Sequence, residues 1–99
     1  IYPLDKDYMK NAFELIHQRG GVTIADEVQT GFNRCGESFW GFQMKHNDVI
    51  PDMITIAKGM GNGFPIGGLL ISPEFKASYG LLGTTFGGNH LACAAGLAG

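Results

Sequence analysis

Asp26 closes the apolar run Gly21-Val22-Thr23-Ile24-Ala25, and Lys58 closes a second run, Met53-Ile54-Thr55-Ile56-Ala57. Each run reads as a short buried strand, over 21–25 and 53–57, with an ionisable side chain at its carboxyl end. Ligands of parallel α/β sheets bind outside the carboxyl ends of the strands. An amine held in an apolar setting loses charge to desolvation and becomes nucleophilic, as a Schiff-base lysine must. A carboxylate beside it can hold a pyridinium N–H, so the pair fits the needs of pyridoxal phosphate. Taken singly, each residue has a plainer reading: Lys58 as a surface lysine at a turn, Asp26 as a turn or cap aspartate. Glu27 reads as structural.

A third stretch, Gly83-Thr84-Thr85-Phe86-Gly87-Gly88-Asn89, sets hydroxyls and free backbone N–H groups before a helix start. Helix N-termini accept phosphate readily, although an ordinary capped loop has the same composition. Other chemistries lack their signatures. Gly59, Gly61 and Gly63 miss the spacing of the dinucleotide fingerprint, and no GxxxxGK[ST] or G-x-S-x-G stretch occurs. His17, His46 and His90 are scattered, and Cys35 and Cys93 lie far apart without metal-like spacing, so no metal site is expected. A formal charge of −2 gives no electrostatic case for nucleic acid, and no apolar run is long enough to span a membrane.

The elements that must position these residues follow from periodicity. Tyr8, Met9, Ala12, Phe13, Leu15 and Ile16 recur at helical spacing, predicting a helix over 5–19, started by Asp5 or Asp7 and stopped by Gly20-Gly21. Residues 26–50 read as irregular, with Phe39, Trp40 and Phe42 as packing aromatics. Ile66–Ile71 reads as a strand too close to Lys58 for a helical crossover, hence antiparallel to its neighbour. Pro73 introduces a short helix over 74–79, and Asn89 caps a final helix from His90 onward. Glycine supplies 16 of the 99 residues, against about 7% usually, and it clusters beside the strand ends. The expected architecture is one α/β layer with no internal boundary over 1–99. It reads as part of a larger domain, and the 99 residues alone are expected neither to fold stably nor to hold a cofactor.

Ala25-Asp26-Glu27-Val28-Gln29-Thr30-Gly31-Phe32, Pro51-Asp52 with Ala57-Lys58-Gly59, Gly67-Gly68, and Thr85-Phe86-Gly87-Gly88-Asn89 together resemble the class III pyridoxal-phosphate aminotransferases. The resemblance implies the large cofactor-binding domain of a fold-type I transferase. It implies that Lys58 forms the Schiff base with the cofactor and shuttles the proton, and that Asp26 pairs with the pyridine nitrogen. Val28 would pack on the ring and Gln29 would bond its phenolic oxygen. Thr85 would reach the phosphate of the partner subunit in a homodimer or larger assembly. Asn33 and Cys35 depart from the Gly and Thr common in the family, and His90 from its Pro; none falls at a chemical position.

Residues 39–43 and 57–65 look most like the mitochondrial members that pass the amino group of alanine to glyoxylate. Residues 80–93 look closer to acetylornithine-type enzymes. The expectation is therefore alanine to glyoxylate transfer, in mitochondria if the source is eukaryotic. Transfer from acetylornithine, ornithine or another ω-amino acid is the alternative, and an inactive cofactor-binding relative or a nucleotide-binding α/β domain are the further ones.

Overall fold

The computed structural model describes residues 2, 4–46, 48–81 and 83–99. Helix α1 spans Tyr8–Gln18. Asp7 stands at its N-cap position without a side-chain bond, and Asp5 O accepts from Tyr8 N (3.1 Å). Gly20 ends the helix at φ +73, a left-handed conformation that glycine adopts without cost, and its N–H bonds His17 O.

Three strands follow: β1 (Ile24–Asp26), β2 (Met53–Ile56) and β3 (Gly68–Ile71), in sheet order β1-β2-β3. β1 and β2 are parallel, with Ala25 opposite Ile54 and Asp26 opposite Thr55. β2 and β3 are antiparallel, Ile56 facing Gly68, as the short connection requires. Glu27 N extends the first ladder to Thr55 O at 3.0 Å. The crossover between the parallel strands carries a 3-10 stretch, Gly41–His46, broken at Met44 and Lys45. Helix α2 spans His90–Ala98, and Asn89 caps it by accepting from Ala92 N (2.8 Å).

Two expectations need correction. The segment 74–79 is not helical: a single turn closes with Phe75 N on Ser72 O (3.0 Å), since so short a helix cannot offset its nucleation cost without tertiary packing. The run 21–25 is not buried on both faces. Thr23, Ala25 and Glu27 alternate inward, whereas Val22 and Ile24 are exposed. The buried apolar core among the described residues is Ala25, Phe42 and Ile56, and Leu91 and Leu97 of α2 stand exposed.

At the amino end of the sheet, one carboxylate ties three elements together. Asp52 Oδ2 accepts from Thr23 N (2.7 Å), His17 Nε2 (2.8 Å) and Thr23 Oγ1 (2.9 Å), and Asp52 N donates to Thr23 Oγ1 (3.1 Å). The Thr23 N–H first, then the His17 and Thr23 side chains, lower the Asp52 pKa from 3.8 to about 2. A depressed carboxylate pKa gives stability that is present above 3.8 and lost as pH falls from there toward 2. In the full-length protein Asp52→Asn should therefore lower the denaturation midpoint at neutral pH and flatten its decline across that acid window. Urea titrations at several pH values check this.

Candidate active site

Parallel pairing sends β1 and β2 out of the sheet at the same edge, so Asp26 and the segment leading to Lys58 emerge side by side. Asp26 Oδ1 accepts from Val28 N (3.1 Å) and from Thr55 Oγ1 (3.1 Å). The first bond is an Asx turn and the second crosses to the neighbouring strand. Both bonds fall on one oxygen. Among the described residues no bond to Oδ2 is found, and Asp26 is exposed.

Lys58 opens the 3-10 turn Lys58–Gly61, locked by Met60 N on Ala57 O (2.9 Å). Its φ is +35, a left-handed conformation in a non-glycine residue, which costs about 1–2 kcal/mol. Lys58 is exposed rather than desolvated: it stands in a cleft of about 950 Å³, with Val28, Phe32, Arg34, Asn62 and Phe64 on the walls. The apolar enclosure expected around it is not formed among the described residues.

The cleft brings Lys58 and Val28 together. Asp26 is not on its walls; it lines a separate groove of about 520 Å³ with Ile24, Glu27 and Phe42. Gln29 and Thr85 are exposed and line neither space. The segment around Thr85 borders a third groove at the start of α2, lined by Thr84, Phe86, Gly87 and Gly88, which shares Pro65, Ile66 and Gly67 with the Lys58 cleft.

Glu27 proves the most constrained residue of the region, 3% exposed. Oε2 accepts from Gly41 N (2.7 Å) and Thr30 Oγ1 (2.8 Å), and Oε1 from Phe42 N (2.9 Å). The side chain thus pins the far end of the loop back onto the residue next to Asp26. Gly41 leaves room for it; a Cβ there would lie 2.7 Å from Thr30 Cβ. Phe32, Phe39 and Trp40 pack edge to face along the same loop, with centroids 4.7–5.9 Å apart, and Trp40 stacks on Phe42. The aromatics are packing, as expected.

Glu27 is structural, as expected, but its partners across the loop were not anticipated from the sequence, nor was the Thr55 contact to Asp26. Thr55 had a signal, a hydroxyl near the end of the strand paired with Asp26. Three donors converge on Glu27, so Gln cannot replace it: its NH₂ would face an N–H. In the full-length protein Glu27→Gln and Glu27→Ala should each cost about 2–5 kcal/mol, from buried donors left unpaired. Chemical denaturation measures the loss, and a cost below about 1 kcal/mol would remove the clamp.

Comparison with known proteins now places the chain. The family model for aminotransferase class III matches residues 1–99. Human alanine–glyoxylate aminotransferase 2, mitochondrial, is 54% identical over 100 residues, covering 98% of this chain and 19% of that protein. Among solved structures, a phospholyase from Arthrobacter in complex with phosphoethanolamine superposes with TM-score 0.80 at 40% identity, covering 96% of this chain and 23% of that one. The taurine:2-oxoglutarate aminotransferase from Bifidobacterium kashiwanohense, in complex with PLP and glutamate, gives 0.78 at 39%, covering 94% and 21%. The chain spans about a fifth of the length of the curated relatives it matches. Its mixed sheet and helices are the corresponding part of a fold-type I architecture. The chain belongs to the class III aminotransferases.

Proposed function

We propose that the whole protein is a pyridoxal-phosphate-dependent transaminase, moving the amino group of alanine to glyoxylate. One observation carries this reading: the parallel register of β1 and β2 delivers an acid and an amine to one sheet edge. The residues fit the cofactor. Asp26 has one oxygen engaged by Val28 N and Thr55 Oγ1, which leaves the other for a pyridine N–H. Val28 lies on the wall of the cleft that holds the Lys58 amine.

When bound, pyridoxal phosphate supplies an electron sink for negative charge at the substrate's α-carbon. Lys58 would hold the cofactor through its Nζ, and the same amine would take and return the proton at the substrate's α-carbon. Asp26 would accept from the ring N–H and keep it protonated, Val28 would pack on the ring and Gln29 would bond the phenolic oxygen. Thr85 would serve the phosphate in the neighbouring subunit of a homodimer, a role in keeping with its being exposed and off the walls of the Lys58 cleft. For a eukaryotic source the mitochondrion is the proposed compartment, on the strength of the relative's name.

A panel on the full-length enzyme tests the substrate pair. Alanine with glyoxylate should give the highest kcat/KM. A higher value for acetylornithine with 2-oxoglutarate would move the protein to the group that residues 80–93 resemble. The phospholyase neighbour adds a third arm: phosphate release from phosphoethanolamine without amino transfer would replace the transaminase reading by a lyase one.

A further inference from the structure

The ladder between β1 and β2 pairs three residues of each strand. Two of the pairs are apolar, Ile24 with Met53 and Ala25 with Ile54, and the third is Asp26 with Thr55. Residues paired in a ladder share a face of the sheet, and here the Thr55 hydroxyl donates to Asp26 Oδ1 across the strands (3.1 Å). The strand itself has no need of that hydroxyl, because valine has the same branched shape and favours strands equally well. Among the described residues Asp26 is the partner found for it.

The main chain holds the two residues to different degrees. Thr55 lies in the middle strand, opposite Asp26 on one side and Leu69 on the other, and its carbonyl accepts from Glu27 N (3.0 Å). Asp26 is the last residue of β1 and exposed, at the point where the chain leaves the sheet. An aspartate carboxylate turns easily about its Cβ–Cγ bond, since that torsion is broad and roughly two-fold. The bond from Val28 N is made within the turn that follows Asp26. The bond from Thr55 ties the same oxygen to a strand paired on both sides. Contacts of this kind, from a rigid element to a functional group, keep that group in productive geometry.

We propose that Thr55 is a positioning residue: its hydroxyl holds the Asp26 carboxylate against rotation, so that the unengaged oxygen stays available to the cofactor's ring N–H. This rests on the transaminase reading above. Thr55 would touch neither cofactor nor substrate and would act through Asp26 alone.

The test compares full-length wild type with Thr55→Val, Thr55→Ala and Thr55→Ser. Pyridoxal phosphate is titrated into each apo-protein and followed by absorbance, and proton removal from alanine is timed in the loaded enzymes. Thr55→Val should bind the cofactor about threefold more weakly or worse and slow proton removal about tenfold, the range for loss of one hydrogen bond. The KM for alanine should stay near wild type. Thr55→Ala removes the same hydroxyl without adding a methyl and should repeat both losses; Thr55→Ser keeps the hydroxyl and should recover them. In an Asp26→Ala background, Thr55→Val should change cofactor affinity no further, because the two side chains act as one unit. Cofactor affinity equal to wild type in both Thr55→Val and Thr55→Ala overturns the proposal. A loss of the same size with the Asp26 carboxylate already removed also overturns it, leaving the hydroxyl a structural role alone. The titration uses no amino acid, so its failure is separate from failure of the donor–acceptor panel, which would remove the transaminase reading itself.

Discussion

Lys58→Ala in the full-length protein should abolish the Schiff-base absorbance of the bound cofactor and lower transamination by about 10³-fold or more, the upper part of the range for loss of a general acid–base group. No substitute stands nearby: the other cation on the described walls of the cleft is Arg34, whose guanidinium does not deprotonate in proteins. The side chain is exposed and opens a turn whose closing bond, Met60 N on Ala57 O, is made by backbone alone. The fold should therefore survive, with a denaturation midpoint near wild type. Spectrophotometric titration with cofactor and a coupled alanine assay together check it. Turnover within tenfold of wild type would show that another residue carries the chemistry.

Asp26→Asn should have the second largest effect. Asparagine keeps an oxygen for Val28 N and Thr55 Oγ1, so the Asx turn and the cross-strand bond survive. Its amide nitrogen takes the place of Oδ2 and presents donors where the ring N–H needs an acceptor. Turnover should fall by about a hundredfold or more, the order that one preorganised polar group contributes to catalysis. Stability should change by less than about 0.5 kcal/mol, as for most exposed positions. Pre-steady-state measurement of proton removal from the α-carbon locates the loss in the chemical step. Undiminished proton removal would assign Asp26 to the turn alone.

The parts of this fold that the sequence foretold are those set by local pattern. Asn89 precedes an alanine-rich run and caps it through Ala92 N. Gly20 ends α1 at a positive φ. The short link after Lys58 forces β3 antiparallel. Asp26 and Lys58 were visible because each closes an apolar run, and a shared edge needed only that the runs lie parallel. What stayed hidden depends on chain segments meeting across distance. Glu27 finds Gly41 and Phe42, 14 and 15 residues away, and Asp52 finds His17, 35 away. No periodicity encodes such a return. Pattern also does not say what covers a face, so Val22 and Ile24 read as buried and proved exposed.

Among the described residues the non-glycine positions with positive φ are Phe32, Asn33, Lys45, Lys58 and Asn62, and three of these line the Lys58 cleft. Such conformations persist where surrounding structure over-determines them. On the proposed transaminase reading, thermostability and turnover should trade against each other at these positions. Selection for heat resistance would favour glycine at Asn33 or Asn62, relieving the main chain while loosening the loops that frame Lys58. Stabilised descendants recovered from an activity-blind screen should accumulate changes there, and those from an activity-coupled screen should place theirs elsewhere.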